Sequence, residues 1–414
     1  MNIVVQKFGG TSVASLSTQL EVMKKVMRPY REGNKVVVVL SAMAGETNRL
    51  LALANEWVTT PDAAEMDSLV STGEQVSCAL FSMLLKNQGI RARSVLGFQA
   101  PIRTDCSFGK ARIVDIDTTA LFEMLEDHDV LVVAGFQGCE DGKRITTLGR
   151  GGSDTSAVAM AAALNAEVCE IYTDVPGVFT TDPNICSDAT KIDRIAYDEM
   201  LEMASMGAKV LQIRSVEFAK KYNVTVHVRS TFSDEQGTLV CQEDDDMEAV
   251  LVSGIAYDKD QARITLVHVE DRPGVSAAIF SPLAERKILV DMIVQNPSKG
   301  SKTDMTFTVP KADIKQTLKV LEDLRYEIGY EDLLSSSDVS KVSIIGVGMR
   351  NHSGVASRAF RALADENINI LMISTSEIKV SFLIDEKYTE LAVRTLHKEF
   401  ALHEGGIQQE SCTG

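Results

Sequence analysis

RITLVHVEDRPGVSAAIFSPLAERKILVDMIVQN at residues 263–296 and SIIGVGMRNHSGVASRAFRALADENINILMISTS at residues 343–376 are two versions of one pattern. Gly274 and Gly354 stand 80 residues apart, and Val290-Asp291-Met292-Ile293 keeps that offset from Ile370-Leu371-Met372-Ile373. A unit recurring at a fixed spacing indicates two copies of one small module. Each copy reads strand, glycine turn, helix, strand, then a further strand and helix. The last two fall at 306–309 and 314–324 in the first copy, and at 378–384 and 391–400 in the second. The expected order is βαββαβ.

Working outward, Glu243-Asp244-Asp245-Asp246 precedes the repeats and reads as a solvated linker or loop. Before it, some 240 residues alternate apolar runs with helical patterns. Residues 36–40, 130–134, 167–172 and 224–228 read as strands, and 68–87 and 156–165 as helices. That alternation predicts an α/β sandwich with a mainly parallel sheet, whose ligands bind at the carboxyl ends of the strands. The glycine-rich segments fall at those ends.

Composition narrows the function classes. The 414 residues are 45% hydrophobic and 24% charged, which fits two or three globular domains. The net charge is −16 with no cluster of Lys and Arg, so neither nucleic acid nor an anionic membrane is an expected partner. No run of about 18 apolar residues suggests a membrane span. The strand-like start at Ile3-Val4-Val5 lacks signal-peptide features, and a cytoplasmic protein is expected. Seven scattered cysteines without Cys-x-x-Cys read as reduced thiols, and the six histidines show no metal-ligand spacing.

The segment with most chemistry is Gln6-Lys7-Phe8-Gly9-Gly10-Thr11-Ser12-Val13, directly after the first strand. Gly9 and Gly10 let the backbone approach a bulky anion, and N–H groups opening a helix can point at phosphate oxygens. Lys7 adds a positive charge, but its place before the glycines rules out a Walker A loop. Single residues elsewhere have plain alternative uses. Asp154 could cap the alanine-rich helix that follows it, Arg150 could form a surface ion pair, and Glu74 and Lys209 could be solvated.

Taken together, the strings are more specific. Lys-Phe-Gly-Gly-Thr-Ser-Val resembles the signature of the aspartate kinases, and the resemblance runs in order from Lys7 to about Phe400. It includes Ser41-Ala42-Met43 with Thr47, Ser71-Thr72-Gly73-Glu74, and Thr146 through Asp154. Tyr172-Thr173-Asp174-Val175 and Gly207-Ala208-Lys209 continue it. The C-terminal repeats resemble ACT domains, ferredoxin-like modules that bind small ligands between copies. The implied architecture is an amino-acid-kinase three-layer sandwich at 1–245 and one ACT domain at 263–338. A second ACT domain would join 249–262 with 339–406, the first being inserted into it.

The resemblance implies ATP-dependent phosphorylation of L-aspartate to 4-phospho-L-aspartate, the first step of lysine, threonine and methionine biosynthesis. The acceptor carboxylate is already ionised at pH 7, so no general base is required. Positioning and electrostatic stabilisation by Lys, Mg2+ and N–H groups would do the work. By resemblance Lys7 contacts the phosphates, and Asp154 orients Lys7 or organises the Mg2+-nucleotide. Glu74 binds the substrate ammonium and Arg150 its α-carboxylate, with Ser41, Thr47, Gly151, Gly152 and Ser153 completing the pocket. Phe8, Gly9, Gly10, Thr173, Asp174, Phe179, Thr180, Asp182 and Lys209 fall at nucleotide positions. No metal ligand from the protein is assigned beyond Mg2+ carried with ATP. Related enzymes often carry Tyr and Arg or Lys where this chain has Phe179 and Asn184, so a different grip on ATP is expected.

In the family the ACT domains of two chains pair, implying a homodimer or larger homo-oligomer, with effectors between modules. Candidate contacts are Asp271, Gly274, Ser276, Asp291 and Gln295 in the first copy. In the second they are His352, Gly354, Val355, Asn369 and Ile370. Lysine, threonine or both are the implied effectors. Three other readings compete: a relative acting on glutamate, N-acetylglutamate or a nucleoside monophosphate, a non-catalytic amino-acid sensor, and two ferredoxin-like modules serving only dimerisation. Length and the lack of a dinucleotide fingerprint exclude a fused homoserine dehydrogenase, and Met247 is a conceivable internal start.

Overall fold

A computed structural model of the chain describes residues 2–206, 210–297, 302–352 and 354–405. It divides into two compact units, one of residues 1–179 with 191–247 and one of 180–190 with 248–414.

Among the described residues the first unit has twelve strands. They are β1 (Ile3–Phe8), β2 (Lys35–Leu40), β3 (Ala92–Val95), β4 (Ile102–Thr104), β5 (Ile113–Ile116) and β6 (Val130–Ala134). They continue with β7 (Gln137–Cys139), β8 (Ile145–Thr147), β9 (Val168–Thr173), β10 (Arg194–Ala196), β11 (Val226–Ser230) and β12 (Thr238–Cys241). Its helices are α1 (Leu16–Arg31), α2 (Glu46–Trp57), α3 (Ala63–Val70), α4 (Thr72–Asn87), α5 (Thr118–Asp127), α6 (Gly152–Ala163), α7 (Tyr197–Ser205) and α8 (Ile213–Tyr222).

Eight strands form one sheet in the order β10-β12-β11-β9-β1-β2-β6-β3, parallel at every pairing except β11 with β12. The central run Val36-Val37-Val38-Val39-Leu40 is fully buried because both faces are covered. On one face α1 and α4 pack a core of Phe8, Val22, Val38, Cys78, Phe81 and Val132. On the other lies α6, against β1, β2 and β9, with α8 beyond it. Its residues 152–161 are all buried, and their small side chains let the helix sit close to the sheet. The result is a three-layer α/β sandwich, as expected. A smaller sheet, β5-β4-β7-β8, flanks it.

The second unit is built on one antiparallel sheet of β13 (Gly254–Glu270), β14 (Ile293–Pro297), β15 (Lys302–Val309), β16 (Asp332–Ile345), β17 (Ile370–Thr375) and β18 (Lys379–Asp385). Their order is β14-β15-β13-β16-β18-β17. β13 and β16 are long enough to serve two cores. Residues 261–267 of β13 pair with 332–339, above a core that includes Ile264, Ile279, Leu283, Phe307 and Leu321. Residues 254–258 pair with 341–345, in a second core that includes Leu251, Val252, Ile344, Leu363, Phe382 and Leu396. Each core takes two helices, Val275–Glu285 with Ile314–Asp323 and Val355–Asp365 with Thr389–Glu399.

Three details differ from the sequence reading. Regular pairing of β14 begins at Ile293 rather than Val290, although the Asp291 N–H already donates to the Thr308 carbonyl. The acidic stretch is not a plain loop: Asp245–Glu248 is a short helix, and the Asp244 carboxylate accepts the Met247 N–H and pairs with Arg194. Residues 180–190, within the expected 1–245 domain, group instead with the second unit. There the Thr180 carbonyl accepts the Ile255 N–H at 2.7 Å, and Thr190 Oγ1 donates to the Leu402 carbonyl at 2.8 Å. Among the described residues no helix is long and apolar enough to cross a membrane.

Candidate active site

Strand alternation decides which way Lys7 points. Gln6 and Phe8 face α1, while Lys7 faces α6, whose first turn carries Asp154. The Lys7 ammonium lies 2.6 Å from Asp154 Oδ1, with both side chains about nine-tenths buried, in a close ion pair that is not an aligned hydrogen bond. Gly151, not Asp154, occupies the N-cap of α6, and no side chain caps it. The capping use of Asp154 is therefore excluded, and its charge instead meets Lys7 at the positive end of the helix.

The turn before α6 needs glycine. Gly149 and Gly151 have φ of 78° and 68°, and a Cβ on Gly151 would run into the side chain of Gln212. Between them stands Arg150, exposed and without an ion pair among the described residues. Ser153 follows over the end of β6.

Glu74 comes from the first turn of α4 and is 3% exposed. Gly73 permits the approach, since a Cβ there would sit 2.8 Å from Ala42 Cβ. Glu74 Oε1 accepts the Ala42 N–H at 3.0 Å, while Oε2 is buried with no partner. Burial pushes this carboxyl up to about 7, offset only in part by the Ala42 N–H.

Lys7, Ser41, Thr47, Glu74, Arg150, Gly151, Gly152, Ser153 and Asp154 line one cleft of about 660 Å3. Asn48, Asp67, Phe136 and Gln212 also line it. Sequence reading missed these four. Nothing in the sequence of α3 sets Asp67 apart, since Glu65 and Ser68 stand beside it.

Comparison with known proteins agrees with this geometry. Residues 2–230 match the amino acid kinase family, and 263–328 and 342–400 each match the ACT domain. Aspartokinase of Pseudomonas aeruginosa is 52% identical over 412 residues, covering 99% of this chain and 100% of that protein. Aspartokinase of Helicobacter pylori strain J99 is 52% identical over 404 residues, 97% of this chain and 99% of its own. The chain belongs to the aspartate kinases. Among solved structures, aspartokinase III of E. coli in complex with aspartate and ADP (R-state) superposes with a TM-score of 0.78 at 30% identity. The match covers 97% of this chain and 100% of that one. The same enzyme with lysine and aspartate (T-state) gives 0.76 at 31% identity, over 96% and 99%.

This aspartate kinase places the nucleotide candidates unevenly. Gly9 and Gly10 follow β1, Thr173 ends β9 and Asp174 follows it, with Thr173 Oγ1 donating to Asp174 at 3.0 Å. Ser12 and Thr231, their hydroxyls 2.7 Å apart, tie the glycine turn to the end of β11. Phe8 is fully buried and stacked on Tyr172 at 4.6 Å, so only its backbone can meet a ligand. Phe179 is half-buried and bridges to Lys191. Thr180 and Asp182 lie in the second unit with their side chains committed. Thr180 Oγ1 is 2.9 Å from His397 Nε2, and Asp182 accepts from Tyr257 and from both nitrogens of Asn184. Lys209 lies outside the described residues.

Among the effector candidates, Asp271, Gly274, Ser276, Gln295, His352, Gly354 and Asn369 are exposed, and Ile370 is half-buried. Val355 is a core residue with 3% exposure and offers no side chain to a ligand. The Asp291 carboxylate is paired with the buried ammonium of Lys341.

Proposed function

We propose that the protein transfers the γ-phosphoryl group of ATP to the side-chain carboxylate of L-aspartate, giving 4-phospho-L-aspartate. The observation that carries this is Glu74 Oε2, a buried and unpartnered carboxylate oxygen in the cleft that also holds Arg150 and the Lys7–Asp154 pair. An α-amino acid offers an ammonium and an α-carboxylate, which Glu74 and Arg150 complement, the latter through a planar fork. The acceptor carboxylate needs no base. Lys7 and the N–H groups around Gly9-Gly10 offset charge on the transferring phosphoryl group.

Among the described residues no three His, Cys, Asp or Glu side chains cluster as a metal cage. Asp154, one carboxylate without an aligned hydrogen bond, fits Mg2+ brought in on phosphate oxygens, where the ion would neutralise phosphate charge. Lys209 remains a proposed nucleotide contact.

Regulation follows from the two ACT domains. A discontinuous second ACT domain is supported by the core that Leu251, Val252 and Ile255 share with residues 342–402. Lysine, threonine or both, bound between modules of a homo-oligomer, would shift the population toward an inactive state. The lysine complex of the E. coli relative supports this reading.

The test is acyl-phosphate formation from MgATP, trapped with hydroxylamine, with L-aspartate or L-glutamate as acceptor and with lysine and threonine added singly and together. Aspartate-dependent hydroxamate that falls with an effector is expected. Its absence at high ATP overturns the assignment in favour of another substrate or a sensor.

A further inference from the structure

Asp67 is 1% exposed and has no cationic partner among the described residues. Its carboxylate is met only by neutral donors. Oδ1 accepts from Gly109 N at 3.0 Å and Thr147 Oγ1 at 2.7 Å, and Oδ2 from Gly109 N at 2.9 Å and Thr147 N at 2.7 Å. Hydrogen bonds to a charged acceptor are the strong kind, and losing that acceptor would strand the buried N–H and hydroxyl of Thr147.

Thr147 closes β8 and leads into the turn that bears Arg150. Its carbonyl accepts the Ala111 N–H at 2.8 Å. The next residue, Leu148, donates to the Phe136 carbonyl at 2.9 Å, and its own carbonyl accepts Arg214 Nη1 at 2.6 Å. The start of the turn is thus held on every polar atom, and Arg150 stands two residues beyond Leu148.

On the other side, α3 runs into Ser71 and α4 with no intervening loop. The Ser71 N–H donates to the Asp67 carbonyl at 3.1 Å, and the Ser71 carbonyl accepts Gln137 Nε2 at 3.0 Å. Glu74 follows on the first turn of α4. One carboxylate therefore ties the helix pair that carries Glu74 to the turn that carries Arg150.

We propose that Asp67 is a positioning residue that sets the spacing between Glu74 and Arg150, and with it the recognition of the amino-acid substrate. The proposal rests on the reading of those two residues given above. In an α-amino acid the ammonium and carboxylate hang from one carbon, so their separation is fixed. A site that grips both must hold its own two groups to within about half an ångström. The ATP end of the site, at Lys7 and Gly9-Gly10, is not fastened through Asp67.

The test is Asp67→Asn in the full-length chain, an isosteric change that keeps one acceptor oxygen and replaces the other with an NH2 facing N–H donors. The aspartate KM should rise about tenfold or more, while the ATP KM changes less than about twofold. Discrimination between aspartate and glutamate should fall as well. Thr147→Val removes one of the four contacts and should raise the aspartate KM in the same direction by less. In the double variant the two effects should be less than multiplicative, because both act on one contact.

An unchanged aspartate KM in folded Asp67→Asn overturns the proposal. So does an equal rise in both KM values, which marks a general structural role. If Asp67→Asn does not fold, Thr147→Val carries the test, and an unchanged aspartate KM there overturns the proposal. Failure of the underlying reading looks different: the unmodified protein would form no aspartyl hydroxamate.

Discussion

Glu74 has its acidity set by an incomplete set of partners. One oxygen accepts the Ala42 N–H, the other is bare, and the carboxyl is pushed up to about 7 by burial. A substrate ammonium favours the ionised form, so the free enzyme must lose a proton from Glu74 as aspartate binds. kcat/KM for aspartate should therefore climb about tenfold per pH unit below pH 7 and flatten above it. Glu74→Gln should lower kcat/KM and abolish that limb. A flat profile from pH 5.5 to 8 in the unmodified enzyme would refute the assignment. The same shift acts on stability. The folded value lies above the unfolded one, so the contribution is full below the ordinary value of 4.5 and is lost as pH rises through about 7. The loss in the free enzyme is about 3 kcal/mol, converting the shift at 1.36 kcal/mol per unit. Glu74 was legible in the string Ser-Thr-Gly-Glu, but its bare oxygen was not, because that depends on what packs around it.

At the scale of elements, the turn from Leu148 to Gly152 shows how backbone conformation and packing combine. Gly151 is left-handed and lies under Gln212, whereas its neighbour Arg150 is exposed and lines the cleft. Gly151→Ala would cost about 1–2 kcal/mol in backbone strain alone, and it would also displace Gln212. Activity with aspartate should drop at least tenfold, and Gly151→Ala with Gln212→Ala should regain part of it by freeing the space. Full activity in Gly151→Ala, measured by hydroxamate formation, would show that the turn tolerates a different path. The strands and helices were largely readable from apolar runs, since period and length are local properties. Val36 to Leu40 is the plainest case. The start of β14 was misplaced because Val290, Asp291 and Met292 continue the apolar repeat, yet the ladder there is irregular and reaches Thr308 through single bonds.

Over the whole molecule, Glu74 and His397 respond to pH in opposite directions. In the second unit His397 is buried beside Thr180, and desolvation lowers its pKa below the usual 6.5. The neutral imidazole is the folded form, so its contribution is full above pH 6.5 and is lost as pH falls through the lowered folded value. Calorimetry should show the transition of the second unit moving down on acidification below pH 6.5, and His397→Gln should flatten that dependence. An unmodified protein whose second-unit transition ignores pH between 5 and 7 would contradict the burial argument.

The sequence by itself determined the sandwich, the repeated module and part of the cleft, Lys7, Glu74, Arg150 and Asp154 among it. Each is written in a short string or a fixed spacing, and short-range pattern survives without knowing what lies opposite. Tertiary structure alone decided the rest. Asp67 meets a threonine 80 residues away, Lys341 occupies Asp291, and residues 180–190 leave the first unit to join the second. Those outcomes turn on which buried polar group finds which partner across the chain. A buried charge must be matched wherever the fold happens to bring donors, and no local pattern records where that will be.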